Sequence, residues 1–199
     1  IYGETPSRSP SDMGVNMAGN CISDDEVCCE ASRQEIIRRY YAAMCSARQG
    51  MSDSRPAEKI KLLINQLGIT VKDRPVIDAA VARAEQTGEP AAAIQLPDGE
   101  IVTGKTTKLL GASAAVLLNA LKRLGGIQKD MHLISPIVIE PIQDLKVNHL
   151  GNHNPRLHMD EVLIALSISA ATNPTAEVAM RQLDKLRGCE AHSTVILSG

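Results

Sequence analysis

Ala91-Ala92-Ala93-Ile94-Gln95-Leu96-Pro97-Asp98-Gly99-Glu100-Ile101-Val102-Thr103-Gly104-Lys105-Thr106 is the stretch on which the fold turns. On both sides of it, apolar residues recur at helical spacing. Within it, two extended runs flank Pro-Asp-Gly, which reads as a β-hairpin with turn residues between its strands. The same letters admit another reading, because Gly99 to Thr106 fits G-x-x-x-x-G-K-[ST] throughout. A phosphate-cradling loop of that kind needs free N–H groups between the glycines and a helix opening at the lysine. Ile101, Val102 and Thr103 prefer extended backbone, and Gly99 is already committed to the turn. Their N–H groups then pair across a hairpin, so we read strands here and no phosphate cradle.

Upstream, residues 1–21 are rich in Ser, Pro, Gly and Asn and read as a loop or arm. Ser23 and Glu26 form a capping-box pattern with Ile22 and Val27 at the staple positions. Ile36, Tyr40 and Met44, with Ile37, Tyr41 and Cys45 beside them, predict an amphipathic helix from about Asp24 to Ala47. Ile60, Leu63, Ile64 and Leu67 predict a second helix, stopped by Gly68-Ile69 in a Schellman pattern. A third starts near Asp73, with Pro75 in its first turn, and ends at Gly88. Downstream, a small-residue and leucine-rich helix runs from Gly111 to Leu124 and closes at Gly125-Gly126. Ser135-Pro136 opens another that ends at Gly151, and two more cover Met159 to Ala171 and Pro174 to Leu186. Ser193 to Leu197 is strand-like and able to pair with the hairpin. The expected fold is α+β, predominantly helical, with a small sheet from the hairpin (about 91–104) and a C-terminal strand (about 193–197). The expected organisation is a polar arm with a helical segment over 1–88, then an α+β unit over 89–199.

At 199 residues, 44% hydrophobic and 22% charged, the chain can bury a real core. Its net charge is −2, it has no Phe or Trp, and it has only 3 Tyr. Nucleic-acid grooves show basic stripes, with aromatic platforms for single strands, so no nucleic-acid partner is expected. No apolar run reaches membrane length, and no membrane partner is expected either. The five cysteines, an odd count that includes adjacent Cys28 and Cys29, read as buried free thiols of a reducing cytosol. No secretory signal is visible, and the expected location is the cytoplasm. The chain starts without Met and ends directly after a strand-like run, so it reads as a piece of something longer.

Polar residues gather most densely between Lys146 and Asp160. Lys146, Asn154 and Arg156 are candidate donors to an anionic ligand, and His158 with Asp160 is the candidate acid–base pair. The alternative is ordinary capping, with His158 or Asp160 opening the next helix, Asn154 making an Asx-turn and Arg156 in a surface ion pair. Gly111-Ala112-Ser113-Ala114-Ala115 allows close helix packing; it also leaves N–H groups for an anion, with Ser113 as a further donor and Lys105 nearby. His149, His153, His158 and Asp160 lie close in sequence, but Gly151 and Pro155 break the helix that an i, i+4 metal pair needs, so no metal is expected. Cys189 and His192, three apart in a strand, face opposite sides and do not make a nucleophile–base dyad. Asp12, Asn16, Asn20 and Arg33 are polar candidates on or near the arm.

Ser11-Asp12-Met13-Gly14-Val15-Asn16-Met17-Ala18-Gly19-Asn20-Cys21 and Ser32-Arg33-Gln34-Glu35-Ile36-Ile37-Arg38-Arg39-Tyr40-Tyr41 resemble a known bacterial family. So do Leu96-Pro97-Asp98-Gly99, residues 104–121, His132-Leu133-Ile134-Ser135-Pro136, Asn154-Pro155-Arg156-Leu157-His158 and Gly188-Cys189-Glu190-Ala191-His192-Ser193. The chain is similar over nearly its whole length to the C-terminal part of domain-of-unknown-function family 1846, also called uncharacterised protein family 371. The resemblance implies bacterial, intracellular-looking proteins more than twice this long. It also implies a preceding nucleotide-binding-like α/β domain with its own Gly-Lys loop. No reaction or cofactor comes with it.

Two classes of function are therefore expected. In one, the chain supplies half of an inter-domain enzyme site for a small anionic or nucleotide-like ligand, with Lys105, Ser113, Asn154, Arg156 and Lys146 binding and His158 and Asp160 moving protons. In the other, helices such as Leu117–Leu124 and Val162–Ala170 form a homo-oligomeric assembly module.

Overall fold

The computed structural model describes residues 24–196 and divides the chain into two compact units, one up to Arg74 and one from Pro75 onward. In the first, α1 spans Asp25–Arg48 and α2 spans Arg55–Gln66. Asp24 caps α1, its Oδ1 accepting the Val27 N–H at 3.0 Å. The cap expected at Ser23 lies outside the described residues. Ile37 is the buried residue of α1, flanked by half-buried Ile36, Tyr40, Tyr41, Met44 and Cys45, while Glu35 holds Arg38 and Arg39. Gly68, at φ +63°, ends α2 as its sequence promised: Ile69 N–H reaches Ile64 C=O at 3.0 Å and Gly68 N–H reaches Asn65 C=O at 3.3 Å. A 3₁₀ turn over Val71–Asp73 follows, tied to α1 by the Gln34 amide on the Asp73 carbonyl.

In the second unit α3 (Pro75–Thr87) precedes β1 (Ala91–Gln95) and β2 (Ile101–Lys105). These two strands form the expected antiparallel hairpin, with Ala91 opposite Lys105 and Gln95 opposite Ile101. Gly99, at φ +85°, closes the Leu96–Gly99 turn with a 2.9 Å bond to the Leu96 carbonyl. The period of two then sorts the β1 side chains. Ala92, Ile94 and Leu96 pack on Ala112, Val116 and Ala120 of α4 (Ala112–Leu124), and Ala93 packs on Val76 and Ala80 of α3. The sheet is therefore sandwiched between two helices, and α3 belongs to this unit although it precedes the change of period. The other flank of α4 (Leu117, Leu118, Leu121) buries against Leu133, Ile134 and the remaining helices.

Those helices are α5 (Pro136–Asp144), which runs on through a π-helical stretch over Leu145–His149, α6 (Met159–Ala170) and α7 (Pro174–Met180). A 3₁₀ turn (Leu183–Leu186) leads to β3, Ala191–Ser193, antiparallel to β1, giving the order β2-β1-β3. The C-terminal strand thus pairs with the hairpin but starts two residues earlier than expected, and Leu197 lies outside the described residues. Antiparallel pairing runs Ser193 to Ala92 and then Thr194 N–H to Ala91 C=O at 2.9 Å. Pro90, next along the chain, turns its backbone to the β2 side, where its carbonyl accepts the Thr106 N–H at 2.7 Å. Among the described residues, no helix is long and apolar enough to cross a membrane.

Candidate functional site

Within the second unit lies a cavity of about 570 Å³, inside the range of small-molecule sites. Its cationic lining comes from four separate elements: Arg83 on α3, Lys105 at the end of β2, Lys108 in the following loop and Lys122 on α4. His132 adds an imidazole, and no carboxylate lines the wall among the described residues. The floor is aliphatic, with Leu109, Leu110, Leu118, Leu133, Ile134 and Ile139. Arg83 uses one terminal nitrogen on Gln86 at 2.8 Å, while its Nε is shielded from solvent with no hydrogen-bond partner. Burial lowers the Lys122 pKa, an effect that Asp130 nearby opposes, and its Nζ donates to the Lys129 carbonyl at 3.0 Å.

One wall of the cavity, Thr107 to Leu110, has three successive carbonyls bonded on a single side. Arg156 Nε donates to the Thr107 carbonyl at 2.8 Å, Gln143 Nε2 to that of Lys108 at 3.2 Å, and Leu157 N–H to that of Leu109 at 2.9 Å. Gly111 N–H returns to the Leu157 carbonyl at 3.1 Å, making a parallel bridge between Leu110 and Leu157.

The polar cluster expected to bind ligand is mostly this supporting turn. Lys146 is buried, its Nζ 2.7 Å from both the Arg156 carbonyl and Glu161 Oε2. Asn154 Oδ1 accepts the Arg156 N–H at 3.1 Å, an Asx-turn, and its amide lies 3.5 Å from His158 Nε2. His158 is the half-buried N-cap of α6, its N–H donating to Glu161 Oε2 at 2.7 Å, and Asp160 is exposed in the first turn. Ser113 is half-buried in the first turn of α4 and does not line the cavity. Of the sequence-predicted residues that the structure describes, Lys105 alone lines it, and Arg156 reaches its wall through the Thr107 carbonyl.

Arg83, Lys108, Lys122 and His132 escaped the sequence reading. A signal existed for α4: Ala115, Leu118, Asn119 and Lys122 are spaced i, i+3, i+4, i+7, and all four line the cavity. Arg83 and His132 carried no local signal. The small-residue start of α4 serves close packing, since a Cβ on Gly104 would meet Val116 Cα at 2.6 Å and the Ala115 carbonyl carbon at 2.7 Å. The Gly-Lys motif is thus strand and packing contact together. Cys189 donates to the Lys185 carbonyl at 3.5 Å, and burial pushes its thiol up, opposite to what a nucleophilic thiolate needs. Cys28, Cys45 and Cys189 are half-buried and Cys29 is exposed, so the expectation of buried thiols fails for these four. No group of three or more His, Cys, Asp or Glu gathers among the described residues. Asp12, Asn16 and Asn20 lie outside them.

Comparison with known proteins accounts for both halves of the chain. Residues 1–68 match the family described as "Domain of unknown function DUF1846, N-terminal", and residues 72–199 match its C-terminal counterpart. The UPF0371 protein cu0538 of Corynebacterium urealyticum is 55% identical over 197 residues, covering 99% of this chain and 40% of its own length. The UPF0371 protein stu1377 of Streptococcus thermophilus is 55% identical over 198 residues, and SpyM50764 of Streptococcus pyogenes 54%. In both, the match again takes in all of this chain and 40% of the relative.

Proposed function

This chain belongs to the DUF1846 (UPF0371) family, and from that premise we propose that its second unit binds a small anion in the Arg83–Lys105–Lys108–Lys122 cavity. The observation that carries the reading is the convergence of four cationic side chains with no carboxylate among the described lining residues. Charge-assisted bonds from Arg and Lys are the strong members of their class. Inorganic diphosphate titrated calorimetrically into the chain is expected to bind saturably, and more weakly as salt rises. Lys105→Ala should weaken that binding at least tenfold with an unchanged melting temperature. An affinity unaltered by Lys105→Ala would remove the cavity from consideration.

The inter-domain enzyme reading goes further and stays a proposal for the full-length protein. There His158, with Asp160 two residues away, would move protons. Full-length protein carrying His158→Gln that binds diphosphate normally but no longer turns over substrate would assign that role, and undiminished turnover would refuse it.

The assembly reading draws on α6, where Ile164 and Ile168, one turn apart, are each 62% exposed. The other helix expected to assemble does not offer its apolar face, because Leu117, Leu118 and Leu121 are core. If α6 pairs two copies, light scattering at micromolar concentration should give a dimer that Ile164→Asp reduces to monomer. A monomeric parent protein would end that reading.

A further inference from the structure

We propose that the ligand of this cavity is a phosphate or diphosphate ester of a short aliphatic alcohol, an inference that rests on the anion-binding reading above and gives it a substrate class. The cations account for the charged end. The other end must lie against leucine and isoleucine, since apolar side chains make up most of the remaining lining. A nucleotide would need an aromatic platform or free polar groups to hold its base and sugar. Among the described residues no Phe, Tyr or Trp lines the cavity, where His132 supplies the one aromatic ring, and the chain contains neither Phe nor Trp.

Besides His132, the polar uncharged side chains of the described lining are Thr107 and Asn119, and each already makes bonds within the protein. Thr107 Oγ1 accepts the N–H groups of Leu109 at 3.2 Å and Leu110 at 3.0 Å. Asn119 donates its amide to the Thr103 carbonyl at 2.9 Å. Strong anion capture beside a floor with little left to bond a sugar or base fits an alkyl body and fits a hydroxylated one poorly. A five-carbon chain is small against the cavity volume of about 570 Å³. Each methylene moved from water onto that floor contributes about 0.8 kcal/mol, close to a fourfold gain in affinity.

Titration calorimetry on the chain with inorganic diphosphate, isopentenyl diphosphate and ADP separates the possibilities. Isopentenyl diphosphate should bind at least tenfold more tightly than diphosphate, and ADP no more tightly than diphosphate. Lys105→Ala should weaken the first two by the same factor. Leu109→Asn should erase the advantage of the alkyl ester while leaving diphosphate affinity in place. Diphosphate binding with no gain from the alkyl chain would overturn this inference and leave the anion site standing. ADP binding more tightly than isopentenyl diphosphate would overturn it in favour of a nucleotide. Absence of binding by all three would overturn the anion site itself.

Discussion

Gly104→Ala is expected to destabilise the second unit by about 3 kcal/mol or more, enough to lower its melting temperature by roughly 10 °C. Gly104 has no positive φ, so alanine is allowed by the backbone there, and strand entropy alone would favour it slightly. The obstacle is entirely the space above it. The new Cβ would lie 2.6 Å from Val116 Cα and 2.7 Å from the Ala115 carbonyl carbon, and closer still to the Val116 nitrogen. All three are backbone atoms of α4, so no rotamer change relieves the contact. The helix must lift from the sheet, and with it the packing of Ala112, Val116 and Ala120 on Ala92, Ile94 and Leu96. Gly99→Ala supplies the contrast within the same eight residues. Gly99 has φ +85° and open space around its missing Cβ, so only the left-handed strain of about 1–2 kcal/mol applies. Chemical denaturation of both variants checks the pair. Equal losses would mean that the helix does not press on the strand at Gly104.

The hairpin was legible because its signals are local: Pro-Asp-Gly for the turn and β-branched residues for the second strand. The same holds for the Schellman stop at Gly68 and the helix opening at Ser135-Pro136. The cavity was not legible, because its cations sit at 83, 105, 108 and 122 and meet only through long-range packing on both sides of the sheet. At 146–160 the density of polar residues coincides with a turn that bonds neighbouring backbone. Asn, Arg and His crowd this turn, which also holds other backbone: Arg156 Nε and the Leu157 N–H bond the carbonyls of Thr107 and Leu109. Density of polar residues thus marked the support of the wall, while the lining residues stood singly among apolar neighbours.

Lys146 distinguishes a supporting role from a ligand-binding one, and its replacement should have the second large effect. In the π-helical stretch after α5 its ammonium is buried between the Arg156 carbonyl and the Glu161 carboxylate, which also accepts the His158 N–H. Lys146→Met keeps the aliphatic stem but leaves a carbonyl and a carboxylate without their cation. Breaking a buried pair costs about 3–5 kcal/mol, and the quarter exposure of Glu161, 26%, lets water recover part of it. A loss of about 2–3 kcal/mol is therefore expected in chemical denaturation. Glu161→Gln alone should cost less, because the amide oxygen can still accept from His158 and Lys146. The double variant should recover stability relative to the sum of the singles by about 1 kcal/mol or more, as groups sharing a network do. Diphosphate affinity should fall as well, because the Arg156 backbone that Lys146 fixes carries the guanidinium on the Thr107 carbonyl. That loss should shrink in the double variant, where no unpaired carboxylate distorts the turn. Were Lys146 instead a direct ligand donor, Lys146→Met would abolish diphosphate binding at unchanged stability, and Glu161→Gln would restore none of it.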